Sequence, residues 1–211
     1  MRGTKPMKEK TIPDIIVGRL PLYLRALQTM SNEARQITSS QELGERLGIS
    51  AAQIRKDLSQ FGEFGKQGTG YAIDYLIDEI QKILKVDRVW NVAVVGAGDI
   101  GNAVAHYQGF ANRGFRVAMI FDNDPEKIGT QEGDFIIQDS ATMVEAIREA
   151  GIKIAMIAVP ARNAQKVADE LVEAGVKAIL NYAPISLIAP FEVRVQYIDP
   201  SVHLQRMTYY L

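Results

Sequence analysis

Apolar residues recur at helical spacing near the start of the chain. Ile16, Leu20, Leu24 and Leu27 stand three or four apart and predict a helix over about 13–31, begun by Pro13 and kinked by Pro21. A second helix is expected from Ser39 or Ser40 to Gly48, with Ser39 and Glu42 at capping-box spacing. Ser50 caps a third, from Ala51 to about Gln60. Helix, short glycine-containing turn, helix is the helix-turn-helix pattern. GEFGKQGTGY, residues 62–71, holds four glycines and reads as a hairpin, the wing of a winged helix. The amphipathic run 75–86 reads as a connecting helix, and the first ten residues as a disordered arm.

From Val89 the pattern changes. WNVAVV, RVAMIFD, DFIIQ, KIAMIA, KAILN and EVRVQYID are short apolar runs that read as strands. Between them DIGNAVAHYQGFANRG, ATMVEAIREAG and NAQKVADELVEAG read as helices. Alternating strands and helices imply a doubly wound parallel sheet with right-handed crossovers. The fold class is therefore α/β: an N-terminal winged helix-turn-helix, then a Rossmann-like sheet, then a C-terminal helix. Three parts are expected: 1–86 as a DNA-binding domain, 87–199 as a dinucleotide-binding domain, and 200–211 as a helix. That last helix, SVHLQRMTYYL, is too apolar to stand alone and is expected on another element or another subunit.

Composition narrows the chemistry. There is no cysteine, and His106 and His203 are the only histidines, so a metal site is not expected. No apolar run reaches the roughly 20 residues of a membrane span and no signal peptide is evident, which together predict a cytoplasmic protein. The overall charge is −1, but residues 1–85 hold 13 Lys+Arg against 10 Asp+Glu, and residues 86–211 hold 11 against 15. The first half is the one suited to phosphates.

GAGDIG places Gly96, Gly98 and Gly101 between a strand and a helix. The first glycine permits the tight turn, the second lets backbone approach a pyrophosphate, and the third lets helix pack on strand. Ala97, Asp99 and Ile100 complete the loop, although an acid at Asp99 is unfavourable beside a pyrophosphate and is expected to face solvent or cap the helix. Asp122 follows Gly101 by 21 residues at the end of the next strand, where a carboxylate accepts ribose hydroxyls. With no arginine nearby for a 2′-phosphate, NAD(H) is favoured over NADP(H). Val159, Pro160, Asn181 and Tyr182 are expected at the same carboxyl edge. Coenzyme A is an alternative ligand for such a turn.

On the third helix, Ile54 and Leu58 face inward, leaving Gln53, Arg55, Lys56 and Ser59 outward. Arg and Gln read bases, while Lys and Ser suit phosphates. Asp57 opposes DNA and is expected to orient Arg55 or Lys56, and Lys66 is expected at the wing. The competing reading of Arg55, Lys56 and Asp57 is a solvated charged face.

QIRKDLSQFGEFGKQGTGY, VVGAGDIGNAVAHYQGF, IFDNDPEKIG, NYAP and VQYIDPSVHLQRMTYYL, in that order, resemble the Rex family of redox-sensing transcriptional repressors over about residues 13–211. The resemblance implies a homodimer that binds an inverted-repeat operator, binds NADH or NAD⁺, and is released from DNA by NADH. It also implies that the C-terminal helix is exchanged between subunits. Arg55 and Lys56 match the recognition pair, and Gly65 to Tyr71 the wing. Tyr107 resembles a tyrosine close to the nicotinamide. Arg25 and Asp199 resemble an arginine and acidic partner linking the DNA domain to the sensor. Gln108, where the family often has proline, and Asp99, where it has a neutral or basic residue, depart from the pattern. No enzyme activity is expected: an NAD-dependent dehydrogenase would need a poised acid or base, for which His106, His203, Tyr107 and scattered lysines are thin candidates, and a substrate domain, for which no chain is left. A coenzyme A-binding adaptor is the third reading.

Overall fold

The computed structural model describes residues 12–65 and 69–211, so the N-terminal arm and Lys66 lie outside the described residues. The chain divides into two compact units, Met1–Asp87 and Arg88–Leu211.

In the first unit, helices α1 (Asp14–Val17) and α2 (Leu20–Asn32) replace the single kinked helix expected over 13–31. The break falls at Gly18 and Arg19, and Pro21 sits in the first turn of α2. There its missing N–H would have had no helical partner, so proline starts the helix rather than bending it. Strand β1 (Ile37–Thr38) leads to α3 (Ser40–Leu47), whose Ser39 cap accepts from the Glu42 N–H at 3.1 Å. The Glu42 carboxylate does not close a capping box; it takes the Thr38 hydroxyl and the Arg35 guanidinium instead. Gly48 ends α3 at φ 67°, a left-handed conformation suited to glycine, and Ser50 caps α4 (Ala51–Leu58). Strand β2 (Tyr71–Ala72) precedes α5 (Ile73–Leu84) and pairs antiparallel with β1, Thr38 opposite Tyr71. The two-stranded ladder is thus made with a segment before α3, not within 62–71 alone. Within that glycine-rich run, Gly65 abuts the carbonyl of Gly70 so closely that a Cβ would stand 2.5 Å from it. The helix expected as a connector belongs to this core: Ile73, Leu76 and Ile80 of α5 are fully buried with Leu20, Tyr23, Leu27 and Met30 of α2, Leu43 of α3 and Ile54 of α4. Hydrophobic burial on this scale is what holds a unit of this size together.

The second unit is built on a seven-stranded sheet. Its elements in chain order are β3 (Trp90–Val95), α6 (Asp99–Ala105), β4 (Phe115–Asp122), β5 (Gln131–Glu132), β6 (Phe135–Asp139), α7 (Met143–Glu149), β7 (Ile154–Ile157), α8 (Ala161–Glu173), β8 (Ala178–Asn181), β9 (Arg194–Tyr197) and α9 (Pro200–Thr208). The strand order is β5-β6-β4-β3-β7-β8-β9, parallel except for the β5–β6 hairpin. Alternation along β3 shows both faces covered. Ala93 and Val95 join the cluster under α7 and α8, while Val92 and Val94 join the cluster that includes Ala105 of α6. After β3 the chain moves outward to β4 and β6, then crosses back to β7 on the other side. This reversal is the topological switch point, beside which ligands bind at the carboxyl ends of the strands.

The helix expected across 99–114 stops at Ala105. Tyr107 is extended at φ −72°, ψ 97°, and a 3-10 helix covers Gln108–Arg113. The Tyr107 ring lies against Gly109, where a Cβ would meet its far end. His106 packs on Gly133 at the hairpin turn, its Nδ1 2.7 Å from the Asn102 carbonyl oxygen.

Candidate functional sites

A cleft of about 550 Å³ opens at the carboxyl edge of the sheet. Gly96, Gly98, Asp99 and Ile100 line one side, Asp122, Asn123, Asp124 and Lys127 another, and Ala158, Val159, Pro160, Arg162 and Asn163 with Tyr182–Pro184 the third. The size is that of a small-molecule site. The glycines divide by role. Gly96 has φ 101°, and a Cβ there would stand 2.6 Å from the Ala158 carbonyl oxygen. A Cβ on Gly101 would strike the Gly96 carbonyl. Gly98 has ordinary extended backbone and nothing within 4 Å of a Cβ. The fold therefore needs glycine at 96 and 101, and at 98 the open space lies in the cleft. A pyrophosphate against the N-terminus of α6 fits that space.

Asp122 is nearly buried and builds the loop that it faces. Oδ2 accepts the Ala97 N–H at 2.7 Å, and Oδ1 accepts the Asn123 and Asp124 N–H groups at 2.8 and 2.9 Å. Burial pushes its pKa up, but these hydrogen bonds and the Lys127 ammonium outweigh burial and hold the carboxyl below the usual range. Of roughly four acceptor positions three are taken, leaving Oδ2 one for a hydroxyl. Lys127 stands 3.6 Å from that oxygen. Lys127 and Arg162 both line the cleft, so cations are present there although the sequence offered no arginine beside Asp122. Among the loop residues, Ala97 is buried and enters through its N–H only. Asp99, exposed, is the first residue of α6 and lines the cleft without capping the helix by its side chain. Val159 and Pro160 line the cleft; Asn181 does not. Asn181 is buried, its amide donating to the Ala183 and Ile185 carbonyls and accepting the Ala183 N–H, so it shapes the turn that carries Tyr182. Arg162 and Asn163, in the first turn of α8, are lining residues that the sequence reading missed; their position just past Pro160 is the available signal.

In the first unit, α4 presents Arg55, Lys56 and Ser59 to solvent. Arg55 Nη1 donates to Ser40 Oγ at 2.9 Å, and the Ser59 hydroxyl is turned back to the Lys56 carbonyl. Asp57 is fully buried and orients neither Arg55 nor Lys56, as had been expected of it. It accepts Arg19 Nε at 2.5 Å and Nη2 at 2.8 Å, the Tyr23 hydroxyl at 2.6 Å and Gln53 Nε2 at 2.7 Å. Gln53 is thus half-buried and tethered, not free on the outer face.

Comparison with known proteins gives both units relatives. A family model described as "CoA binding domain" matches residues 87–185, and one described as "Putative DNA-binding protein N-terminus" matches residues 11–59. A redox-sensing transcriptional repressor Rex from Chloroflexus aggregans is 53% identical over 94% of this chain and 94% of its own. The Rex of Brevibacillus brevis is 44% identical over 97% of this chain and 99% of its own. The chain belongs to the Rex family of redox-sensing transcriptional repressors. Among solved structures, RSP in complex with NAD⁺ and operator DNA superimposes with TM-score 0.90 at 37% identity, covering 96% of this chain and 93% of that one. RSP in complex with NADH gives 0.87 at 35% identity, covering 96% and 95%. These full-length Rex relatives are transcriptional regulators, not enzymes, and favour neither the dehydrogenase nor the coenzyme A reading.

Against the Rex pattern, Tyr107 lies outside the cleft lining. It is exposed, its hydroxyl accepts from Arg113 Nη1 at 2.9 Å, and its ring meets Phe110 edge-on at 4.9 Å. Asp199 caps α9, accepting the Ser201 N–H and hydroxyl at 2.9 and 2.6 Å. Arg25 is exposed on α2, in the other unit.

Proposed function

We propose that residues 1–86 read an inverted-repeat operator, that residues 87–199 bind NADH or NAD⁺ in the cleft, and that NADH releases the DNA. Two copies related by a two-fold axis are required by such an operator. Residues 200–211, whose apolar side chains are all exposed in the single chain, supply the contact by exchange between subunits. The protein acts in the cytoplasm. The observation that carries the reading is the joint presence, in one chain, of a Ser-capped recognition helix and a glycine cradle with space beside Gly98.

Gly96, Gly98, Asp99 and Ile100 lie along the pyrophosphate, Ala97 and Gly101 shape the loop behind it, Asp122 takes a ribose hydroxyl, and Val159, Pro160 and Tyr182 form the far wall, with Asn181 behind it. Arg55 and Gln53 read bases; Lys56, Ser59 and Lys66 hold phosphates. The adenine half is common to both redox forms, so discrimination lies at the nicotinamide, cationic in NAD⁺ and neutral in NADH. Tyr107 is the residue that responds to that difference, and Arg25 and Asp199 carry the response. Carrying the equilibrium from 1:99 to 99:1 takes about 5.5 kcal/mol of differential affinity, divided over two sites in a dimer. Gly98→Val tests the assignment: operator binding is expected to persist while NADH no longer releases it. Normal release by NADH would contradict the cradle.

A further inference from the structure

The recognition helix carries a carboxylate that is buried rather than exposed to DNA. Four donors fill the four acceptor positions of Asp57, two from Arg19 and one each from Tyr23 and Gln53. Arg19 stands at the N-cap of α2 and Tyr23 lies in its first turns, so the Asp57 end of α4 is bolted to the start of α2. Gln53, one turn earlier on α4, is caught by the same bolt through its amide.

An ionised carboxylate only accepts hydrogen bonds, so the Gln53 atom 2.7 Å from Asp57 Oδ1 is the amide nitrogen, which fixes the flip of the group. That nitrogen has two hydrogens. Asp57 takes one, which leaves the amide one donor and the acceptor Oε1, the pair of functions that complements adenine N7 and N6 in the major groove. A free glutamine must lose side-chain entropy to adopt that arrangement; here it is held in advance.

We propose that Asp57 is a positioning residue that holds the Gln53 amide as an adenine reader, an inference that rests on the repressor reading above. Duplexes bound by the wild-type full-length chain are selected from a random-sequence library, and each A·T pair of the recovered half-site is replaced in turn. In Gln53→Met the preference for A·T is expected to fall about tenfold or more at one position per half-site. Asp57→Asn should lower the same preference, and the double variant should lower it no further than Gln53→Met. A merely structural Asp57 would weaken all sequences alike and leave that preference intact, which overturns the proposal, as does an unchanged preference in Gln53→Met. If Asp57→Asn does not fold, the side-chain amide of Gln53 in ¹⁵N-labelled wild-type protein without DNA decides, assigned by its loss in Gln53→Met. Slow hydrogen exchange is expected, and exchange at the rate of a free glutamine amide overturns the proposal. A selection that recovers no common sequence overturns the repressor reading and this inference with it; operator binding with unaltered base preference overturns this inference alone.

Discussion

Asp57, expected to face the surface, instead holds the local structure, and Asp122, expected at the ligand, holds the local structure as well. Both have pKa values below the ordinary carboxylate value despite burial, because donors outnumber what burial removes. A depressed folded-state pKa contributes stability above the unfolded value of about 4, and that contribution is lost as pH falls through the folded value. Thermal melting followed from pH 6 to pH 3 should therefore show stability declining once pH drops below about 4. Asp57→Asn should lower the melting temperature at neutral pH and reduce this acid dependence; an acid slope equal to wild type would contradict the assignment. Burial of Asp57 was legible in part. It stands three residues after Ile54 and next to Leu58, on the apolar stripe of α4, a position at odds with a solvated charge. Its partner Arg19 is 38 residues away, and no local pattern points to it. Asp122 was legible as a carboxylate at a strand end because its spacing from the glycines is set by one strand–helix–strand unit. Its three backbone donors depend on how the loop folds and leave no trace in spacing.

Elements buried on both faces were the easiest to read. β3, β4, β7 and β8 are short apolar runs because the helices cover both sides of the sheet. One error falls where a side chain overrides periodicity, at the break at Gly18–Arg19, where Arg19 turns to Asp57; another is the stop before Tyr107. The glycine loop yields a prediction at this scale. Gly101→Ala should lower the melting temperature, since its Cβ would meet the Gly96 carbonyl, whereas Gly98→Val should melt near wild type. Equal destabilisation by the two would refute the division of roles. On α4, Arg55→Ala should lose about 1–3 kcal/mol of operator affinity and relax sequence preference if it pairs with guanine. Lys56→Ala should weaken binding evenly across sequences and reduce its salt dependence. Near-wild-type affinity in both variants would exclude α4 as the recognition helix.

For the whole molecule, the sign change in charge between the two halves agrees with DNA meeting only the first, although the difference is small. The C-terminal helix is the clearest unsatisfied feature. Val202, Leu204, Met207, Tyr209, Tyr210 and Leu211 are all exposed in a single chain, an apolar content that solvent does not favour. Its hydrophobicity was legible in the sequence; a surface to cover it is not something that a local pattern can specify. Removal of residues 200–211 should convert a dimer into monomer or aggregate, read by sedimentation, and a well-behaved truncated dimer that still answers to NADH would refute the exchange. The central claim is that one chain couples the redox state of a nicotinamide nucleotide to operator occupancy. Its most direct test is a titration of the wild-type protein on its operator at fixed salt, with NADH alone, with NAD⁺ alone, and with mixtures at constant total nucleotide. Release that rises with the NADH fraction, with retention of DNA in NAD⁺, is the predicted result. Occupancy that is unaffected by either nucleotide, or lowered equally by both, would contradict it.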